Sequence, residues 1–396
     1  MTSVSTGTPE DALGVTTPAG FRAAGVTAGL KASGKPDVAL VVNDGPSHAA
    51  AAVFTANRVA AAPVLWSRQV ITDGRADAVL LNSGGANACT GPEGFANTHT
   101  SAEQVATALG IGAGDVLVCS TGLIGEQLPM PQLGAGITTA VAALAEDGGP
   151  AAAEAIMTTD TVAKQATHLS EDGWSIGGMA KGAGMLAPGL ATMLVVLTTD
   201  ADLPADALDA ALRSATRVTF DRADSDGCMS TNDTVTLLAS GASGTTPDAA
   251  AFTAALTGVC DTLARALIAD AEGASHEIAV RTVNAATEDD AVEVSRAVAR
   301  SNLFKTAIFG QDPNWGRVLS AVGTTSAAFE PGDLNVTING VAVCRNCGIG
   351  EPREAVDLSG RHVDVEIDLG AGTATATILT NDLTHDYVHE NSAYSS

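Results

Sequence analysis

The stretch KGAGMLAPGLATMLVVLTTDA, Lys181 to Ala201, decides how this chain is read. Its first half is a loop dense in Gly and Pro. Its second half contains Met193 to Leu197, wholly apolar and of strand length. Thr192 stands between them. A plain loop-to-strand turn has this composition, and so does a loop built to present the Thr192 hydroxyl and backbone nitrogen. Inside a chain, a threonine hydroxyl is a weak nucleophile. Cutting the chain just before Thr192 would free an α-amine, with a reference pKa of about 7.7–8.0, to serve as general base. The surroundings suit such a cut. Gly182, Gly184 and Gly189 permit unusual backbone angles, Pro188 restricts the approach, and Ala191 adds no bulk at the scissile carbonyl.

Outward from this stretch, short apolar runs bounded by Gly, Asp or Asn read as strands. They are 37–42, 51–56, 77–83, 115–120, 193–199 and 333–338. Ala-rich segments at 101–109, 132–146, 150–156, 204–215 and 248–269 read as helices. EDDAVEVSRAVARSNLF, 288–304, has helical spacing and an acidic start that complements the helix dipole. The mixture is α/β or α+β. No repeat of 20–50 residues is visible, which argues against a solenoid or propeller.

Composition narrows the function. The chain has 396 residues, 45% of them hydrophobic, enough for a sizeable core. A formal net charge of −25 disfavours nucleic acid and anionic membranes and leaves small molecules or copies of the chain as partners. No run of 18 apolar residues indicates a membrane span. The first residues lack the basic and apolar regions of a secretory signal. Six dispersed cysteines suit reduced thiols of the cytoplasm. Cys344 and Cys347 form a lone C-x-x-C, without the further ligands a zinc site needs, so no metal is expected.

Other stretches carry chemistry or turns. CSTGLIG, Cys119 to Gly125, follows an apolar run; its backbone N–H groups could face an oxyanion, or simply end a strand. DSDGCMSTNDT, Asp224 to Thr234, reads as tight-turn chemistry ahead of the alternatives, a cation site or the lining of a polar pocket. FGQDPNWGR, Phe309 to Arg317, is either a polar cluster or a turn with an anchoring Trp. THDYVHENSAYSS at the C-terminus is rich in side-chain chemistry and could fold over a site. Glu272, beyond the long 248–269 segment, reads by itself as a solvated charge at a helix end. No G-x-S-x-G elbow, P-loop or convincing G-x-G-x-x-G unit is present.

Taken together these blocks resemble the ornithine acetyltransferases, also called glutamate N-acetyltransferases. AAGVTAGLKASG (23–34), FTANRVAAAPV (54–64), NSGGANACTG (82–91), CSTGLIG, MTTDT (157–161), the 181–201 stretch, STNDT (230–234), FGQDPNWGRV and VHENSAYSS follow that family's order over essentially the whole chain. The resemblance implies a layered sandwich of sheets and helices with an N-terminal-nucleophile-like arrangement. It implies self-cleavage between Ala191 and Thr192, giving an α chain, 1–191, and a β chain, 192–396, that stay together, with two of each as the expected assembly.

The implied reaction moves the acetyl group of N2-acetylornithine to glutamate, in arginine biosynthesis, through an acetyl-Thr192 ester. Some family members also take acetyl-CoA as donor, which would make it a co-substrate; no cofactor is implied. By the resemblance Thr192 is the nucleophile, Thr121 and Gly122 form the oxyanion pair, and Thr158, Lys181, Thr192, Glu272, Asn391 and Ser396 contact substrate. These residue types suit amino-acid substrates, since Lys181 can pair with a carboxylate and Glu272 with an ammonium. The rival readings are a self-processing amidase or aminopeptidase that gives the acyl group to water, and a relative that never matures.

Overall fold

The computed structural model describes residues 13–187 and 193–393. The strands among them are β1 (Phe21–Val26), β2 (Val38–Asn43), β3 (Ala49–Phe54), β4 (Ala78–Ser83), β5 (Val116–Thr121), β6 (Lys164–Leu169), β7 (Ser175–Lys181), β8 (Leu194–Thr199), β9 (Thr234–Ala239), β10 (Glu277–Ala285), β11 (Asn335–Ile338), β12 (Val341–Arg345), β13 (Gly348–Ile349), β14 (His362–Asp368) and β15 (Ala374–Asn381). They make three sheets, ordered β1-β2-β4-β5, β3-β9-β8-β7-β6 and β13-β12-β11-β14-β10-β15.

The first two sheets pack face to face. Val41, Val79, Leu81 and Leu117 of the four-stranded sheet share a core with Met179, Leu194, Val196 and Leu238 of the five-stranded one. Alternate residues point the other way, as the pleat requires. Leu40, Leu80 and Val118 meet the helices Ala62–Val70, Gly91–Leu109 and Met130–Ala142. Val195, Leu197 and Leu237 meet the helices Ala205–Val218 and Ala249–Ala269. The order helix, sheet, sheet, helix is the layered sandwich expected from the sequence. Burial on both faces explains why β2 and β8 read as continuous apolar runs. The six-stranded sheet has its own core against the helices Glu288–Ala299, Asn302–Phe309 and Trp315–Val322.

Several sequence expectations change. The single helix expected over 288–304 is two. Ser301 breaks it, because its side chain accepts the Phe304 N–H and starts the helix Asn302–Phe309. The strand expected at 51–56 is Ala49–Phe54, set by its pairing with β9. In the 309–317 cluster, Asn314 caps the helix Trp315–Val322, and Trp315 leans on the six-stranded core. That is the anchored turn. The C-x-x-C lies in the hairpin between β12 and β13, where Asn346 and Cys347 have φ of 48° and 57°. One described helix, Ala249–Ala269, is apolar and long enough to cross a membrane. Its Phe252, Leu256, Leu263 and Leu267 are buried in the core instead.

Candidate active site

The ends of three strands bring the expected residues together. β7 ends at Lys181, which pairs with Leu194 of β8, and Leu194 pairs with Thr234 of β9. These three positions therefore stand level across the five-stranded sheet. In the neighbouring sheet β5 ends at Thr121. Asn232 ties the two sheets at this point. Its buried amide donates to the Ser120 carbonyl at 2.8 Å and to the Ala86 carbonyl at 2.6 Å.

Gly122 follows with φ of +129°, and a Cβ there would lie 2.5 Å from the Gly85 nitrogen and 2.7 Å from the Gly84 carbonyl carbon. Only glycine fits such a position. The Gly85 N–H donates to the Thr121 carbonyl at 3.0 Å, which pins the turn. The turn CSTGLIG is thus held from two sides.

Lys181 is 2% exposed. Its Nζ donates to the Thr121 hydroxyl oxygen at 3.3 Å and stands 3.9 Å from Asp160 Oδ2. Burial pulls the Lys181 pKa down, and the Asp160 carboxylate opposes that pull. Asp160 accepts from Lys164 Nζ at 2.7 Å, from the Gly182 N–H at 2.6 Å and from the Thr158 N–H at 2.9 Å. Burial would push this carboxyl up. Lys181, Lys164 and the Gly182 N–H outweigh it and hold Asp160 at about 2. Lys164 also reaches Asp270 at 2.5 Å.

Further carboxylates grip both sides of the 188–192 segment. Before it, Met185 N–H donates to Asp226 at 2.7 Å, and the Ser225 N–H donates to the Leu186 carbonyl at 2.7 Å. Burial pushes Asp226 up to about 6. After it, Met193 N–H donates to Asp233 at 3.1 Å. Asp233 is fully buried, and burial drives its pKa well above the usual carboxylate range.

Glu272 closes the other side. Its N–H donates to the Ala183 carbonyl at 2.9 Å, and its carboxylate lies against Gly184, where a Cβ would come within 2.5 Å of Oε2. Asn391, on the C-terminal helix His385–Ala393, donates to Glu272 Oε2 at 2.9 Å. The reading of Glu272 as a lone solvated charge is therefore corrected. Thr384 ties the same tail to the Gly273 carbonyl at 2.6 Å.

Thr121, Gly122, Thr158, Lys181, Glu272 and Asn391 thus converge around the end of β7 and the described residues that follow it, Gly182 to Gly184. The expected cleavage residues Ala191 and Thr192, and the expected contact Ser396, lie outside the described residues. Sequence reasoning gave Asp160 no role, and it ranked turn chemistry above a polar pocket for the stretch that holds Asp226, Asn232 and Asp233. The available signal was their place in Thr- and Ser-rich runs directly beside apolar strands. Turn chemistry at 224–234 is real, but its side chains also bind residues beside the loop before β8 and the turn at 119–125.

A family model described as the ArgJ family matches residues 22–396. The arginine biosynthesis bifunctional protein ArgJ of Streptomyces coelicolor is 67% identical over 384 residues, spanning 97% of this chain and 100% of that protein. The protein of the same name from Mycobacterium tuberculosis is 58% identical over 393 residues, spanning 97% of each. The crystal structure of the M. tuberculosis ornithine acetyltransferase complexed with ornithine is 60% identical, covers 46% of this chain and 96% of that one, and has a TM-score of 0.44.

Proposed function

The chain belongs to the ArgJ family of arginine-biosynthesis acetyltransferases, and from that premise we propose that it transfers acetyl from N2-acetylornithine to glutamate through Thr192. The observation that carries the mechanism is the convergence of six residues from five separate stretches on the start of the loop before β8. Before catalysis the Thr192 hydroxyl adds to the Ala191 carbonyl, the Ala191–Thr192 C–N bond breaks, and water hydrolyses the resulting ester. The freed α-amine becomes the general base.

In the first half-reaction Thr192 Oγ gives its proton to that amine and attacks the acetyl carbonyl. The acetyl C–N bond breaks, and the ornithine nitrogen leaves with the proton. In the second, the glutamate α-amine attacks the acetyl ester, the Oγ–C bond breaks, and Thr192 recovers its hydroxyl. Each tetrahedral intermediate carries an oxyanion, received by the Thr121 hydroxyl and the Gly122 N–H. Lys181 takes the substrate carboxylate and Glu272 the ammonium, with Thr158, Asn391 and Ser396 beside them. Asn391 reaches Glu272 from the C-terminal helix, a placement suited to keeping water from the ester.

The same reading divides the chain into an α piece, 1–191, and a β piece, 192–396. The cut would leave them interleaved. β3, β6 and β7 would belong to the first piece, and β8 and β9 to the second, within one five-stranded sheet. That continuity supports pieces that stay associated, here as two α and two β chains. Acetyl-CoA, a donor for some members of the resembled family, is a candidate co-substrate, and the cytoplasm is the proposed site of action; the six free cysteines suit that compartment.

Mass spectrometry of the purified protein after brief exposure to N2-acetylornithine tests the whole scheme. The expected result is two pieces, the second starting at Thr192 and carrying one acetyl group. An intact chain that still transfers acetyl would refute it. Thr192→Ala is expected to remain uncut and inactive. Consumption of N2-acetylornithine at one rate with and without glutamate would favour the hydrolase instead.

A further inference from the structure

Asp160 has no role in the reaction scheme above, yet one carboxylate organises much of the site. Its Oδ1 accepts from Lys164 Nζ and from the Gly182 N–H, and its Oδ2 accepts from the Thr158 N–H. Lys164 is fully committed, lying between Asp160 at 2.7 Å and Asp270 at 2.5 Å. Lys181 is not. At 3.9 Å from Oδ2 it is close enough to feel the charge but too far to spend a hydrogen bond on it. Its N–H goes to the Thr121 hydroxyl oxygen at 3.3 Å.

That direction matters. A hydroxyl has one proton and two lone pairs. When an ammonium donates to its oxygen, the hydroxyl cannot spend its own proton on that partner, and the O–H becomes a stronger donor elsewhere. We propose that Asp160 is a positioning residue for acyl transfer: it holds Lys181 charged and aimed at Thr121, so that the Thr121 O–H is freed and polarised toward the oxyanion. Lys181 then acts on the reacting carbonyl through Thr121, whether or not the substrate bears a carboxylate. The charged groups facing Lys181 are Asp160, Lys164, Glu272, Asp233 and Lys31. Of the carboxylates, Asp160 acts on it most strongly.

The inference rests on the acetyl-transfer reading, and its test separates the two. The probe is p-nitrophenyl acetate, an acetyl donor with neither carboxylate nor ammonium. Wild-type protein should release p-nitrophenol with acetyl appearing on the β piece; no acetyl there would sink the transfer reading itself. With that control in place, Asp160→Asn keeps the side-chain shape and removes the charge. Acetylation should slow about 10- to 100-fold with both p-nitrophenyl acetate and N2-acetylornithine. The fall should lie in kcat more than in KM.

The alkaline limb of the rate profile should move to lower pH, because Lys181 loses the charge that keeps it protonated. A merely structural role would leave that limb in place. A wild-type rate with p-nitrophenyl acetate and an unmoved alkaline limb would overturn the proposal, leaving Lys181 as a carboxylate contact only. A folded Asp160→Asn chain that stays uncut reads the same loss at the cleavage step and supports it. Should that variant precipitate, Lys181→Gln decides on the same ester: a slowed release supports the relay, and a wild-type rate refutes it.

Discussion

Replacing Gly184 by Ala should disable Glu272 without touching it. Gly184 has no left-handed φ, so an alanine suits its backbone and should change stability by no more than about 1 kcal/mol. The new Cβ would stand 2.5 Å from Glu272 Oε2, 2.6 Å from Cδ and 2.7 Å from Oε1. Ordinary contact needs about 3.5 Å, so the carboxylate must retreat by roughly 1 Å. It also loses its 2.9 Å bond from Asn391. A hydrogen bond to a charged group contributes about 1.5–3 kcal/mol. At ~1.4 kcal/mol per tenfold, the donor's ammonium should bind about 10- to 150-fold more weakly. The assay is initial rate against N2-acetylornithine at saturating glutamate, beside a thermal melt. KM should rise with the melt unchanged, and Glu272→Asp, one methylene shorter, should restore much of the loss in the Gly184→Ala background. A KM within about threefold of wild type in a normally melting variant would refute the contact between Glu272 and the donor.

Gly122→Ala should be far more damaging, since both the left-handed φ and backbone atoms at 2.5 and 2.7 Å oppose a Cβ; strain of about 2–5 kcal/mol should leave a poorly folded, uncut chain on a gel. Asn232→Ala strips donors from two buried carbonyls, those of Ser120 and Ala86, and should cost about 2–5 kcal/mol by denaturant titration. Asp226 gives a pH test. Its folded pKa is raised to about 6 by burial, so its protonated form favours folding: that contribution is complete below about pH 4 and disappears as pH rises through 6. An amide at this position does not titrate, so the melting temperature of Asp226→Asn should gain on wild type between about pH 4 and 7. A gap independent of pH would contradict this.

Legibility in the sequence followed how many demands each residue had to satisfy. β2, β8 and the helix Ala249–Ala269 serve only burial, and their apolar patterns announced them. β7, SIGGMAK, did not read as a strand because Gly177 and Gly178 are there for close packing. A Cβ on Gly177 would meet the Gly14 carbonyl at 2.0 Å, and one on Gly178 would meet Leu197 at 2.8 Å. Ala49–Ala52 of β3 has helical propensity that the neighbouring β9 overrides. The turn at 119–125 and the loop before β8 were visible as motifs. The carboxylates that hold them were not, because an aspartate in a polar run looks the same whether it faces water or ends up buried between two lysines.

That difference explains the composition of the site. On the proposed reading, a loop that breaks its own backbone cannot also be held by a deep apolar plug, because that cut would require room for a tetrahedral carbon and later for a water and two successive amino acids. The grip must come from the flanks and must survive the cut. Asp226 at Met185, Glu272 at Ala183 and Gly184, and Asp233 at Met193 supply it from outside the 188–192 segment. A fully buried carboxylate such as Asp233 is costly unless paired. Lys164 and Lys181 are the buried cations at this point, and Asp160 lies between them. The expectation is directional: removing a cation here should harm folding more than removing a carboxylate, because Lys164→Met would leave Asp160 and Asp270 facing each other with only Lys181, 3.9 Å from Asp160, as counter-charge. A Lys164→Met chain as stable as Asp270→Asn would show that the balance of charge does not hold this loop.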